Sequence, residues 1–210
     1  MAVGTADILR WLATSQKVFA DNRQRLTEMD QAVGDGDFGL SLDRGFTAVQ
    51  AELVAKPPAD PRAVFNSVAS VLIKTMGGSS GPLLGTFFMR AGATCAGKSE
   101  LDAADVAALF QAGVDGLQQR GKAGVGDKTM LDALIPGAAA MRTALESGGG
   151  LAEVLDQGAA AAEAGAHATI AMQARKGRGS YLGERSVGHP DPGAVAAHLL
   201  LKAAADEWRA

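Results

Sequence analysis

Three aspartates lie within one short, glycine-rich stretch of the chain, at Asp30, Asp35 and Asp37. Their carboxylates repel one another unless a cation lies between them, and a hard divalent cation held by oxygen ligands is the simplest candidate. Gly34 and Gly36 flank Asp35 and allow the backbone to turn sharply. The stretch predicts a magnesium loop, and because proteins commonly bind magnesium together with substrate phosphates, it also predicts a polyphosphate nearby.

Three further segments are suited to binding phosphate. Residues 77–82, Gly-Gly-Ser-Ser-Gly-Pro, and residues 120–130, which contain three glycines, each lead into a predicted helix. The free N–H groups and the positive dipole end of a helix N-terminus attract anions. Residues 175–185 contain three arginines and a lysine that could neutralise phosphate charge. Together with the acidic loop, these segments predict a Mg-nucleotide site.

Each segment also has a simpler interpretation when it is taken alone. The acidic cluster is compatible with a solvated helix end, the glycine pair at 77–78 with a helix C-terminus, and the arginine-rich segment with a solvated surface. An EF-hand calcium loop is excluded, because Leu40, Leu42 and Phe46 occupy the stretch where its later acidic ligands should fall. The nucleotide interpretation therefore depends on the segments occurring together.

Apolar residues recur at helical spacing along most of the chain, as at Ile8, Leu12 and Phe19. Asp-Pro pairs at 60–61 and 191–192 are typical of helix starts. Short connections predict an all-α closed barrel or bundle of about eight antiparallel amphipathic helices, with one long irregular loop over 175–190. The predicted helices span residues 5–30, 39–55, 60–76, 80–97, 102–120, 128–147, 151–174 and 191–208.

The composition limits the number of domains and the classes of partner. With 210 residues and 47% hydrophobic content, we expect a single domain over residues 1–210. The net charge of -3 gives no general attraction to nucleic acid or to an anionic membrane, so neither is an expected partner. Cys95 is the one cysteine and the start of the chain has no signal-like segment, so the expected location is cytoplasmic.

Four motifs, in their order and spacing, resemble the L subunit of dihydroxyacetone kinase. They are the acidic loop from Asp30 to Asp37, Gly-Gly-Ser-Ser-Gly-Pro-Leu-Leu-Gly-Thr-Phe-Phe at 77–88, Gly-Asp-Lys-Thr-Met at 126–130, and the arginine-rich segment 173–185. The resemblance runs almost from end to end. It implies a barrel of eight antiparallel helices that binds ADP and magnesium in the loops at one end.

The resemblance also implies roles for single residues. Asp30, Asp35 and Asp37 would hold two magnesium ions that bridge the nucleotide phosphates. The residues implied to surround ADP or ATP are Phe38, Gly39, Leu40, Ser41, Ser79, Ser80, Leu83, Gly121, Thr129, Met130, Arg178, Asp191, Pro192 and Gly193. The family usually has histidine at position 38 and asparagine at position 41. A phenylalanine side chain donates no hydrogen bond. If the family histidine touches phosphate, this chain either loses that contact or replaces it from elsewhere, which concerns nucleotide affinity or retention and not the fold.

The activity implied by the resemblance is that of a phosphotransferase subunit. A phosphohistidine-bearing M subunit of the phosphoenolpyruvate phosphotransferase system would rephosphorylate the bound ADP, and phosphoryl would pass to dihydroxyacetone held on a K subunit. Two alternatives stay open: an L subunit of an ATP-dependent keto-sugar (erythrulose-like) kinase with exchangeable ATP, and a nucleotide-state co-activator of a transcription regulator. The oligomeric state is also open, a homodimer included.

Overall fold

The computed structural model describes residues 2–209, and most of these residues are helical. A two-residue antiparallel pair joins β1 (Val3–Gly4) to β2 (Glu100–Leu101). Two short 3-10 helices, Thr169–Ala171 and Arg178–Ser186, lie between the last two α-helices. The α-helices are α1 Thr5–Asp21, α2 Arg23–Val33, α3 Phe38–Ala55, α4 Pro61–Thr75, α5 Ser80–Thr94, α6 Ala103–Gly121, α7 Leu131–Glu146, α8 Leu151–Ala168 and α9 Pro192–Glu207. The predicted all-α class is confirmed.

The helix predicted over residues 5–30 is in fact two helices, separated at Asn22. The side-chain amide of Asn22 donates to the carbonyl of Val18 at 2.9 Å, and its backbone N–H donates to the same carbonyl at 3.0 Å. Such local side-chain bonding competes with the regular helical pattern. The break therefore has a local cause that apolar periodicity alone does not reveal.

Two other predicted boundaries differ at the ends of helices. Residues 128–130 do not begin a helix, because they belong to the turn that precedes α7 at Leu131. The helix predicted to reach residue 174 ends at Ala168 and continues only as the 3-10 turn Thr169–Ala171. The long loop predicted over 175–190 contains the second 3-10 helix, which is interrupted at Gly183.

The helices form a closed ring. From α3 to α9 each helix packs against the next one along the chain, α9 packs against α1 and α2, and these two pack against α3. The pair α1 and α2 therefore fills one position of an eight-membered ring. None of the helices between residues 2 and 209 is long and apolar enough to cross a membrane.

A cluster of aromatic residues closes the ring between its first and last helices. The rings of Trp11 in α1 and Trp208, just after α9, lie 5.0 Å apart in an edge arrangement. The indole N–H of Trp208 donates to the Asp7 carbonyl at 3.1 Å, and that of Trp11 donates to the Leu200 carbonyl at 3.0 Å. Since both indoles are buried and hydrogen-bonded, they tie the two ends of the chain together.

We expect Trp208→Ala to lower the free energy of unfolding by about 3–5 kcal/mol, because it removes a large buried side chain and leaves a cavity. Guanidinium unfolding followed by far-UV circular dichroism measures this change. Tyr181→Ala is the matched control, since Tyr181 is 89% exposed, and its effect should stay within about 0.5 kcal/mol. Equal effects of the two substitutions would show that the ring is not closed through Trp208.

Candidate functional site

Four connections meet at one end of the ring: those between α2 and α3, α4 and α5, α6 and α7, and α8 and α9. In a ring of alternating helices every second connection falls at the same end. Residues from all four line one cleft of about 170 Å³. The lining residues are Asp30, Val33, Gly34, Asp35, Asp37, Phe38, Gly77, Gly78, Ser79, Ser80, Leu83, Lys128, Thr129, Met130, Ala174, Lys176, Gly177, Arg178, Gly179, Asp191, Pro192 and Gly193.

Four helices begin at this cleft. Phe38, Ser80 and Pro192 are the first residues of α3, α5 and α9, Met130 immediately precedes α7, and all four line the cleft. The first turn of a helix has unpaired N–H groups and carries the positive end of the helix dipole. Four such ends around one space favour a ligand with several negative charges, such as a polyphosphate.

The three aspartates converge at the mouth of the cleft. Asp30, Asp35 and Asp37 each place one carboxylate oxygen within 4.8 Å of the other two. Asp30 is buried, and its Oδ2 accepts hydrogen bonds from the backbone N–H groups of Asp37 at 3.0 Å and Phe38 at 3.1 Å. Gly36, with φ at 76°, allows the turn that brings the acids together. An all-oxygen set of this kind suits magnesium.

The electrostatics of the acidic loop favour a bound cation. Burial raises the pKa of Asp37, and the negative charges of Asp35 and Asp30 raise it further, while Arg178 opposes them. The Arg178 guanidinium forms an ion pair with Asp35 and so joins the arginine-rich segment to the acidic loop. A divalent cation among these carboxylates would relieve the repulsion that raises the pKa.

The turn before α5 presents polar groups to the same cleft. Gly78 has φ at 62°, in the left-handed region that favours glycine. Ser79 occupies the N-cap position of α5, yet its hydroxyl makes no capping hydrogen bond. Ser79 and Ser80 both line the cleft. Their hydroxyls and the first N–H groups of α5 are therefore placed to receive anionic oxygen atoms.

Four of the residues implied by the resemblance do not line the cleft. Gly39 packs against the backbone of α2, Leu40 is exposed beside a separate groove on α2, and Gly121 ends α6 next to Leu83. The Ser41 hydroxyl is buried and accepts from the Gly77 N–H at 3.3 Å. This hydroxyl therefore ties α3 to the glycine turn.

Phe38 lies at the cleft but turns its ring into the protein interior. The side chain is 8% exposed and belongs to the hydrophobic core. Only its backbone N–H faces the acidic loop, where it donates to Asp30. Position 38 thus contributes an apolar floor and a backbone donor to the site, with no side-chain donor.

Lys128 and Asp132 were not among the site residues predicted from the sequence. Asp132, in the first turn of α7, accepts from the N–H groups of Gly126 at 2.5 Å and Thr129 at 2.7 Å, and so shapes the turn before that helix. Lys128 lines the cleft, is 2% exposed and has φ at 62°. The sequence signal for Lys128 was its position in a glycine-rich turn. That signal does not reveal the residues it binds, because they lie in segments distant in sequence.

The sequence and the fold both match known proteins. The family model described as the DAK2 domain matches residues 32–206. The ADP-binding subunit DhaL of the PEP-dependent dihydroxyacetone kinase of Escherichia coli (strain K12) is 38% identical over 202 residues, which are 96% of this chain and 96% of that protein. The resemblance inferred from the four motifs is confirmed.

Longer proteins contain the same unit. The triokinase/FMN cyclase of Homo sapiens is 39% identical over 181 residues, which are 86% of this chain and 31% of that protein. The crystal structure of the dihydroxyacetone kinase from C. freundii in complex with AMP-PNP and Mg2+ matches with a TM-score of 0.75 and 27% identity. The match covers 98% of this chain, which spans about a third of that kinase, 34%.

We expect the stability of the ligand-free protein to fall between about pH 4 and 7 because of Asp191. This residue caps α9 by accepting from the Ala194 N–H at 2.7 Å. Burial raises its pKa to about 7, with Asp132 and Asp30 adding to the shift while the capping bond and Lys128 oppose it. The folded state therefore holds a proton that the unfolded state releases at lower pH, so the free energy of unfolding decreases as the pH rises.

Asp191→Asn keeps a capping oxygen and cannot ionise. The difference in unfolding free energy between wild type and this variant should change by at most about 4 kcal/mol across that range, with wild type losing stability. Urea unfolding at a series of pH values, with no metal or nucleotide added, measures it. Parallel pH curves for the two proteins would contradict a raised Asp191 pKa.

Proposed function

The chain belongs to the DAK2 domain family, and on that basis we propose that it is the Mg-ADP-binding subunit of a dihydroxyacetone kinase. One observation carries the proposal: three carboxylates and four helix N-termini face the same cleft. Carboxylates alone would repel a phosphate, and helix N-termini alone would attract any anion. Their combination favours an anion that brings its own metal, as a nucleoside diphosphate with magnesium does.

The proposed contacts follow the positions of the side chains. Asp30, Asp35 and Asp37 hold magnesium, with two ions as the proposed number. Ser79, Ser80 and the first N–H groups of α5 receive phosphate oxygens. The residues proposed to surround the rest of the nucleotide are Leu83, Thr129, Met130, Arg178, Asp191, Pro192 and Gly193, all of which line the cleft.

The proposed activity is phosphoryl transfer between two partner subunits. Mg-ADP held by these residues would supply a phosphoryl carrier between the phosphohistidine of an M subunit and dihydroxyacetone held on a K subunit. The residues of this chain position that carrier and balance its charge: the aspartates bind the metal, the α5 turn orients the phosphates, and Arg178 offsets negative charge. Positioning and electrostatic stabilisation are the main contributions that proteins make to this chemistry.

A second candidate is a subunit of an ATP-dependent keto-sugar kinase that exchanges its nucleotide freely. The observation that favours it is the orientation of Phe38, whose ring faces the core and gives the phosphates no side-chain donor. One hydrogen bond to a charged group is worth about 1.5–3 kcal/mol, or roughly a tenfold to hundredfold change in affinity. Nucleotide exchange is therefore the property that separates the two candidates.

Analysis of nucleotide released from the purified, denatured protein distinguishes them. The leading proposal expects close to one ADP per chain after purification without added nucleotide. The second candidate expects a cleft that has lost its nucleotide and takes up ATP reversibly on titration. Failure to bind either nucleotide in the presence of magnesium would contradict both.

We expect Asp35→Ala to weaken Mg-ADP binding by about 100-fold or more, because it removes a metal ligand. Isothermal titration measures the affinity, and far-UV circular dichroism should show unchanged helicity. Asp43→Ala is the matched control: Asp43 also pairs with an arginine, Arg23, at 3.3 Å, but does not line the cleft. Equal ADP affinity in the Asp35 variant and wild type would refute the metal assignment.

A further inference from the structure

The segment from residue 172 to residue 189, called here the arginine loop, forms one wall of the cleft with little regular structure. It joins the end of α8 to α9 and contains the 3-10 helix Arg178–Ser186. Ala174, Lys176, Gly177, Arg178 and Gly179 line the cleft, and most residues of the loop are exposed. A loop with few buried side chains needs specific contacts to hold it against the rest of the protein.

The Lys128 ammonium group binds both ends of the arginine loop. Its Nζ donates to the backbone carbonyls of Met172 at 3.0 Å, Ser186 at 2.5 Å and His189 at 2.6 Å. These three residues lie 44, 58 and 61 positions further along the chain. A single side chain thus connects the turn before α7 to the start and the end of the loop.

Other hydrogen bonds join the two ends of the arginine loop to each other and join the loop to the turn before α7. The buried Ser186 hydroxyl accepts from the Ala174 N–H at 2.9 Å. The Gly188 N–H donates to the Ile170 carbonyl at 2.8 Å, and the Arg175 N–H donates to the Asp127 carbonyl at 3.1 Å. Within this network Lys128 carries a charge and makes three of the hydrogen bonds, to residues at both ends of the loop.

The position of Lys128 is costly in two respects. A buried ammonium loses hydration, and burial lowers the pKa of Lys128, although the nearby Asp191 opposes the shift. The left-handed backbone at φ 62° also disfavours a residue that has a side chain. Strain and buried charge of this kind persist where the surroundings require them, and they concentrate at functional sites.

The contacts of Lys128 separate its role from that of a phosphate ligand. An ammonium group has three protons, and three carbonyl oxygens accept from this one. No proton is left over for a phosphate oxygen. The hydrogen bonds of the Lys128 ammonium therefore act on the arginine loop and not directly on a phosphate.

We infer that Lys128 is a positioning residue of this site: it holds the arginine loop closed so that Arg178 stays over the acidic loop and the nucleotide phosphates. The part of this inference that concerns nucleotide rests on the proposed function. The part that concerns the loop does not, since it follows from the hydrogen bonds of the Lys128 ammonium alone.

Two lysine variants in the same connection test the inference. Lys128→Met removes the ammonium at similar side-chain length. Lys122→Met is the matched control, because Lys122 lies in the same connection and also has a left-handed backbone, with φ at 47°, yet it is exposed and does not line the cleft. Trypsin is a suitable probe of the loop, since Arg175, Lys176, Arg178 and Arg185 all fall within it.

We expect Lys128→Met to be cleaved within the arginine loop about ten times faster than wild type, to keep its far-UV helicity, and to bind Mg-ADP roughly 10–100-fold more weakly. Lys122→Met should match wild type in all three measurements. Lys128→Gln, which retains two N–H donors without the charge, should fall between wild type and the methionine variant. A graded response at constant helicity is not expected of a residue that serves the fold alone.

The outcomes separate this inference from the proposed function. Trypsin resistance of Lys128→Met equal to that of wild type would overturn the inference whatever the ADP result. Faster cleavage with unchanged Mg-ADP affinity would also overturn it, because the loop would then open without affecting the site. Loss of helicity in both Lys128 variants would assign the residue to the whole fold and contradict the inference. A wild-type protein that binds no ADP would reject the proposed function, and the cleavage rates would still test the loop.

Discussion

In one cleft of this protein the negative charges of three aspartates face the positive charge of Arg178 and of four helix N-termini. Three carboxylates with oxygen atoms within 4.8 Å of one another repel, and the ion pair of Arg178 with Asp35 and the nearby helix N-termini offset part of that repulsion. A cation placed among the carboxylates would therefore stabilise the arrangement. The magnesium-bound diphosphate proposed as ligand would satisfy both parts of the cleft, because its metal would lie among the acids and its phosphates at the helix ends.

The helical ring makes this balance achievable. Four helices begin at one end of the ring, and the positive ends of their dipoles surround the same cleft. The contact between Trp11 and Trp208 joins the first and last helices to each other. Since Trp208 follows α9, whose start lies at the cleft, the closure of the ring and the ligand site lie at opposite ends of that helix.

The parts of the site that follow from local sequence were predictable. The acidic loop spans eight residues, so its convergence depends on local features: the turn at Gly36 and the absence of a side chain at Gly34, where a Cβ would meet the Asp30 carboxylate. The helix starts at Asp60 and Asp191 are likewise capped as their Asp-Pro pairs indicate. The parts that depend on distant segments were not predictable in this way. Nothing local indicates that the Ser41 hydroxyl binds Gly77, or that Lys128 reaches carbonyls more than forty residues away. The break at Asn22 was missed for a different reason, since apolar periodicity continues across it, while the Asn22 backbone leaves helical geometry and its side chain bonds to the Val18 carbonyl.

In the proposed site the aspartates and the nucleotide phosphates share a metal ion. The most direct measurement replaces magnesium with paramagnetic manganese and records the phosphorus NMR spectrum of ADP bound to the protein. Strong broadening of the phosphate resonances of protein-bound ADP is expected for the wild-type protein, and a variant that lacks the aspartate carboxylates should retain neither manganese nor ADP. Sharp resonances in the presence of bound manganese, or equal ADP affinity in the complete absence of divalent metal, would contradict a shared metal ion.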